Sequence, residues 1–143
     1  MSKDAPVELG KRFVFRKTVG EADVYMFAGI TGDLSPNHVD EAAMAKTRYG
    51  GRIAHGALIM GYMSNCSTLA VADARDTAFG TPVSLGYDRV RFVGPVMIGD
   101  TIEVRYAIVE FDTERRRSRS EVEVVNQDGA TVAVATHIMA WVD

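Results

Sequence analysis

Apolar residues follow two different rhythms in the two halves of this chain. In the second half they alternate with polar ones. Ile102, Val104, Tyr106 and Ile108 are interleaved with Thr101, Glu103 and Arg105, and Val122 and Val124 with Arg119, Glu121 and Glu123. A period of two places one face of a strand in a core and the other in water, so both runs predict half-buried strands. After the turn signal Asn126-Gln-Asp-Gly129, the series continues through Val132, Val134, Thr136 and Ile138. Asp112 to Arg117 predicts a charged hairpin connection, and a further strand is expected over about Val83 to Val93, stopping before Gly94-Pro95.

The first half carries helical spacing. A short strand around Phe13 and Phe15 comes first. Thr18 stands three residues before Glu21, a possible capping box, with Gly20 as a competing N-cap. Val24, Phe27 and Ala28 then share one helical face, and Gly29 or Gly32 can end that helix. Asp33 to Pro36 breaks the pattern into a turn, a short helix follows around Glu41 to Lys46, and Gly50-Gly51 marks another turn. The longest helix is expected over about Ala54 to Ala74. Its apolar residues Leu58, Ile59, Met60, Tyr62, Met63, Leu69 and Val71 spread over most of the circumference, so other structure must wrap it. No charge occurs between His55 and Asp73, but Ser64, Asn65, Ser67 and Thr68 interrupt the run. It also falls short of the roughly 20 apolar residues of a spanning helix, so a buried helix is expected and no membrane contact. Strand, helices and then a meander of strands make an α+β architecture, one long central helix against a curved antiparallel sheet.

Composition narrows the function classes. The 143 residues fit a single domain, residues 1–143, with 47% hydrophobic and 24% charged residues, as in an ordinary globular core. A net charge of −3 offers no global basic field for nucleic acid. Arg115-Arg116-Arg117, beside Glu114, reads as a solvated turn. The lone Cys66 cannot form an internal disulfide, and Met1 to Gly10 shows no apolar leader, so the cytoplasm is the expected location. Three histidines and one cysteine show no CxxC or HExxH spacing, so no metal is expected. There is no GxSxG elbow and no phosphate-cradling P-loop.

Candidate chemistry concentrates in Ala28-Gly-Ile-Thr-Gly-Asp33-Leu-Ser-Pro-Asn-His38, where a carboxylate and an imidazole flank a turn stiffened by Pro36. Water addition to an enoyl thioester needs a base for the water and an acid for the α-carbon, and an Asp–His pair holding one water supplies both. Spacing alone does not separate this from a plain turn that Asp33 closes while His38 packs beside it. His55 is expected to shape the start of the long helix, and His137 to be a satisfied structural residue in the last strand. Arg48, Arg52, Arg89 and Arg91 are candidate contacts for an anionic ligand. Met60, Tyr62 and Phe79 are expected to set pocket depth.

Three ordered blocks carry a resemblance to a known family. Phe27-Ala-Gly-Ile-Thr-Gly-Asp33-Leu-Ser-Pro-Asn-His38-Val-Asp resembles the signature of the MaoC-like (R)-specific enoyl-CoA hydratases, which adopt the hot-dog fold. Tyr49-Gly-Gly-Arg-Ile-Ala-His-Gly56 resembles the segment leading into that family's central helix, and Arg91-Phe-Val-Gly-Pro-Val-Met-Ile-Gly-Asp100-Thr its strand-turn-strand segment. The resemblance implies that Asp33 and His38 are catalytic and hold the nucleophilic water for hydration of a trans-2-enoyl-CoA to an (R)-3-hydroxyacyl-CoA. It implies that Gly56 offers its N–H to the thioester oxygen. It further implies a homodimer or higher homo-oligomer, with coenzyme A entering only as part of the substrate. Ser35 stands where the family commonly has Asn, with Asn37 nearby as a partial substitute, and Gly61 stands where some members have Ser. Ser35, Asn37, Arg48 and Arg52 complete the expected substrate-binding set. Two other functions fit the same fold, a hot-dog acyl-CoA thioesterase and a non-catalytic acyl-CoA binding module.

Overall fold

The computed structural model describes residues 5–75 and 77–143. Met1 to Asp4, part of the segment expected to carry no apolar leader, lie outside the described residues. Strand β1 (Arg12–Thr18) leads into helices α1 (Glu21–Thr31), α2 (Pro36–Val39), α3 (Glu41–Met44) and α4 (Gly56–Ala70). Strands β2 (Thr81–Phe92), β3 (Thr101–Asp112), β4 (Arg117–Val125) and β5 (Thr131–Val142) follow. The strands form one antiparallel sheet in the order β1-β3-β4-β5-β2. Helix α4 lies against β1 and β3, the expected hot-dog arrangement of a helix in a curved sheet.

Strands β3 and β4 bury the apolar face that their alternation marks, whereas β5 buries Ala133, Ala135, His137 and Met139 and leaves the expected Val134, Thr136 and Ile138 half-buried. Ile102, Val104, Tyr106 and Ile108 are all buried, facing Met63 and Cys66 of α4 in one core cluster. Asn126 makes the β4–β5 turn by accepting the N–H groups of Asp128 and Ala130, each at 3.0 Å, with its side-chain oxygen. Sheet curvature enters at β2, whose pairing with β5 shifts register at Ser84/Gly86 and again at Asp88/Arg91. Arg89, inside the second shift, takes a left-handed φ of 52°. Such irregularities bend and twist a strand.

The long helix differs from expectation in length and in its surroundings. It starts at Gly56 because Ala54 donates its N–H to Val96 at 2.7 Å and His55 is extended. It ends at Ala70, and a short 3-10 turn occupies Ala72–Ala74. Only one stripe is buried, formed by Ile59, Met63, Cys66, Ser67 and Ala70. Ala57, Gly61, Ser64, Asn65 and Thr68 face outward, so a single chain sheathes the helix on one side. Among the described residues, no helix is long and apolar enough to cross a membrane.

Helix α1 is capped by Gly20 and not by Thr18. The Asp23 carboxylate accepts the Gly20 N–H at 2.8 Å, and this bond holds its carboxyl below the usual range, with Lys17 assisting at 3.1 Å. Thr18 instead bonds Thr101 across the sheet at 2.7 Å. Of the two candidate stops, Gly32 ends the helix, with a left-handed φ of 79° and its N–H on the Ala28 carbonyl at 2.9 Å. That reversal delivers Asp33 to the next turn. Helix α3 is shorter than expected and stops at Met44.

Candidate active site

The segment after α1 is built from side chains that cap the backbone. Asp33 Oδ1 accepts the Ser35 N–H at 3.3 Å, and Ser35 Oγ accepts the Asn37 N–H at 3.4 Å as the N-cap of α2. Pro36 opens α2, the position where its missing N–H costs nothing. Asx turn, cap and proline together convert the expected loose turn into a helical turn that carries His38. Both backbone groups of Ile53 then pin this turn to the approach to α4. The Ile53 N–H donates to the Asn37 carbonyl at 3.0 Å, and His38 Nδ1 donates to the Ile53 carbonyl at 2.7 Å.

That last bond sets the tautomer of His38. A carbonyl only accepts, so Nδ1 carries the proton and Nε2 carries the lone pair in the neutral ring. The ring is 9% exposed and stacks on His55, with centroids 3.6 Å apart and planes 25° apart. His55 is deeper, 2% exposed, and its Nε2 donates to the Asp33 carbonyl at 3.0 Å. One carboxylate oxygen of Asp33 and one ring nitrogen from each histidine lie within 4.8 Å of one another. With hydrogen bonds of about 2.8 Å, a single water bridges two such atoms.

A cavity of about 300 Å³ adjoins this cluster, lined by His38, Gly56, Ile59, Phe92 and Val96, with Arg48 and Tyr49 among its further lining residues. Gly56 is there for space, because a Cβ on it would stand 2.5 Å from the Phe92 ring. As the first residue of α4 its N–H has no intrahelical acceptor, and the helix dipole favours negative charge beside it. The cavity therefore joins an imidazole that can take a proton to a helix start that can hold an oxyanion. Its walls come from all three sequence blocks: His38 from the first, Tyr49 to Gly56 from the second, Phe92 to Val96 from the third.

A family model described as "MaoC like domain" matches residues 4–133. The chain belongs to the MaoC-like family. It is 38% identical over 113 residues to the 3-hydroxybutyryl-CoA dehydratase of Methylorubrum extorquens, covering 79% of this chain and 68% of that one. Identity to the (R)-specific enoyl-CoA hydratase of Rhodospirillum rubrum is 32% over 134 residues, covering 90% of this chain and 88% of that one. Among solved structures, an R-hydratase of Pseudomonas aeruginosa in its unliganded form matches with a TM-score of 0.76 at 29% identity, covering 96% of this chain and 84% of that one.

In this MaoC-like chain the expected site residues separate into those that converge and those that do not. Asp33, His38 and Gly56 gather around the cavity mouth, although Asp33 comes from the exposed α1–α2 turn and does not line the cavity. Ser35 and Asn37 serve the α2 turn through a side chain and a carbonyl respectively. Arg48 lines the cavity, exposed, with Nη2 on the Tyr49 hydroxyl at 2.9 Å. Arg52 is a correction. Only 8% exposed, it bonds Glu41 at 2.9 Å and the Tyr25 hydroxyl at 2.8 Å and pairs with Glu21. The bonds from Glu41 and Glu21 hold its guanidinium charged, with its pKa raised further. Arg52 thus ties α1 to α3, and its donors are committed to protein carboxylates instead of a ligand phosphate. The residues expected to set pocket depth are also corrected: Met60, Tyr62 and Phe79 do not line this cavity, and Ile59, Phe92 and Val96 do.

Asp33, His38 and His55 are close enough to suggest a metal site, but their geometry suits hydrogen bonding better. Two of the four ring nitrogens are already held by carbonyls. The contact of His55 with both partners escaped the sequence reading. Its one signal there is its place directly before Gly56 in the second block.

Proposed function

We propose that this protein hydrates a trans-2-enoyl-CoA to an (R)-3-hydroxyacyl-CoA, and dehydrates the product in reverse, with Asp33 and His38 activating the water. One observation carries the proposal: a carboxylate and an imidazole with a free Nε2 approach within one water's span beside a cavity that reaches the start of α4. The water oxygen bonds to the β-carbon as the pair takes its proton. The displaced π electrons pass toward the thioester oxygen, which the Gly56 N–H stabilises. A proton from the same pair then reaches the α-carbon, so no atom is gained or lost beyond the water. The activities for which the Methylorubrum and Rhodospirillum relatives are named support this reaction class.

Coenzyme A enters as part of the substrate and no other cofactor is required. Arg48, at the cavity wall with an exposed guanidinium, is placed to meet its phosphates, while Ser35 and Asn37 shape the turn that presents His38 to the acyl group. The working form is a homodimer or higher homo-oligomer. The exposed apolar residues Met26, Ile30, Leu34, Phe92 and Val93, and the unpaired outer edge of β2, support pairing. The cytoplasm is the proposed site of action, and residues 1–143 form one functional domain. Incubation with crotonyl-CoA tests the reaction by following loss of the conjugated double bond and release of thiol together. Double-bond loss without thiol is expected. Thiol release would make the protein a thioesterase, and neither signal across a series of acyl chains would make it a binding module.

A further inference from the structure

We propose that His55 is a positioning residue for the hydratase pair, holding Asp33 and His38 in register while it touches no substrate. This inference rests on the function proposed above.

The case begins with where His55 stands. It is the N-cap of α4, yet its side chain makes no capping hydrogen bond. Ser, Asp or Asn would serve that position better, since each offers a short acceptor to the first free N–H groups. The ring nitrogen Nδ1 is moreover buried without a hydrogen-bond partner, a poor arrangement for stability. A histidine here is therefore badly explained by helix capping.

Its other contacts account for it. Nε2 donates to the Asp33 carbonyl at 3.0 Å, bridging 22 positions of chain and tying the Asp-bearing turn to the central helix. One face of the ring stacks on His38 at 3.6 Å, and Phe27 closes against it at 4.7 Å with a 59° tilt. Among the described residues, only Ser35, at 3.3 Å, donates a hydrogen bond to the Asp33 carboxylate, which sits in an exposed turn. His55 is the buried group that contacts both members of the pair, and it does not line the cavity. It acts on the reaction only through them.

Asn and Gln at this position separate positioning from folding. His55→Asn supplies a good N-cap but is too short to reach the Asp33 carbonyl, whereas the amide of His55→Gln reaches about as far as Nε2. With crotonyl-CoA as probe, His55→Asn is expected to lower kcat on the order of 10²-fold with KM little changed. His55→Gln recovers a large part of that loss, and the remainder reports the missing ring stack. Equal kcat in the Asn and Gln variants, or wild-type kcat in His55→Asn, would overturn the inference. Circular dichroism and gel filtration identify a variant that fails to fold, and the Gln variant then decides alone: wild-type KM with reduced kcat supports positioning, and wild-type kcat refutes it. Asp33→Asn measured alongside distinguishes the two layers. If it is inactive while His55→Asn is fully active, only the role of His55 falls. If Asp33→Asn retains full activity, the reading of the pair falls and the role of His55 with it.

Discussion

Two histidine clusters, one at the start of α4 and one within the sheet, place imidazoles in very different surroundings. His38 spends Nδ1 on a backbone carbonyl and lines a cavity. His137 is fully buried and spends both nitrogens, Nδ1 on the Tyr106 hydroxyl and Nε2 on the Ser84 hydroxyl, each at 2.8 Å. Tyr87 stacks on it at 4.2 Å, and burial pushes its pKa down to about 4. Both rings are polar, ordered and packed against an aromatic ring. Among the described residues, only the first keeps a ring nitrogen without a hydrogen-bond partner, in a residue that lines a cavity.

The strongest way to break this comparison is at the first cluster. Asp33→Asn is expected to cut turnover of crotonyl-CoA by at least ~10²-fold, and His38→Ala to remove most of it while gel filtration still shows the assembled protein. A folded Asp33→Asn protein working at full rate would end the assignment. At the second cluster the cost should appear as stability and not as rate. His137→Leu takes its ring partner from the buried Tyr106 hydroxyl and is expected to cost about 1–3 kcal/mol in urea unfolding, leaving kcat per folded molecule unchanged.

The pH dependence of the sheet histidine sharpens the contrast. Folding favours neutral His137, with its pKa at about 4 against an ordinary 6.5, so the unfolded chain binds more protons between those values. Its contribution is complete above pH 6.5 and is lost as pH falls toward about 4. Urea midpoints should therefore fall less steeply with acid in His137→Leu than in the wild type. Identical slopes would show that this histidine does not drive the change. The smallest effect belongs to the two arginines. Arg48→Ala should raise KM for a coenzyme A thioester a few-fold, about 1 kcal/mol, with kcat intact, and should weaken the salt dependence of KM. Arg52→Ala should lower thermal stability first, since it releases α1 from α3.

Strands β3, β4 and β5 were legible because period-two alternation follows directly from the pleat, and the Asn126–Gly129 turn because an Asn side chain closes it locally. Helix ends were less legible. Gly56 begins α4 only because Val96 holds Ala54 and Asn37 holds Ile53, contacts across many residues. The four-residue α2 has no period to read. Arg52 looked like any basic residue near a ligand, since Glu21 and Glu41 lie 31 and 11 positions away and meet it only in the folded chain.

Residue order by itself determined the faces of β3 and β4, the helix-rich first half and the ordered blocks that mark the MaoC-like family. These depend on short-range periodicity and on the chemistry of neighbours. Only tertiary structure decided which histidine nitrogens stay free, which arginine is spent and where the cavity opens. Those properties belong to groups brought together from distant positions, where burial and hydrogen-bond partners are assigned by the packed chain.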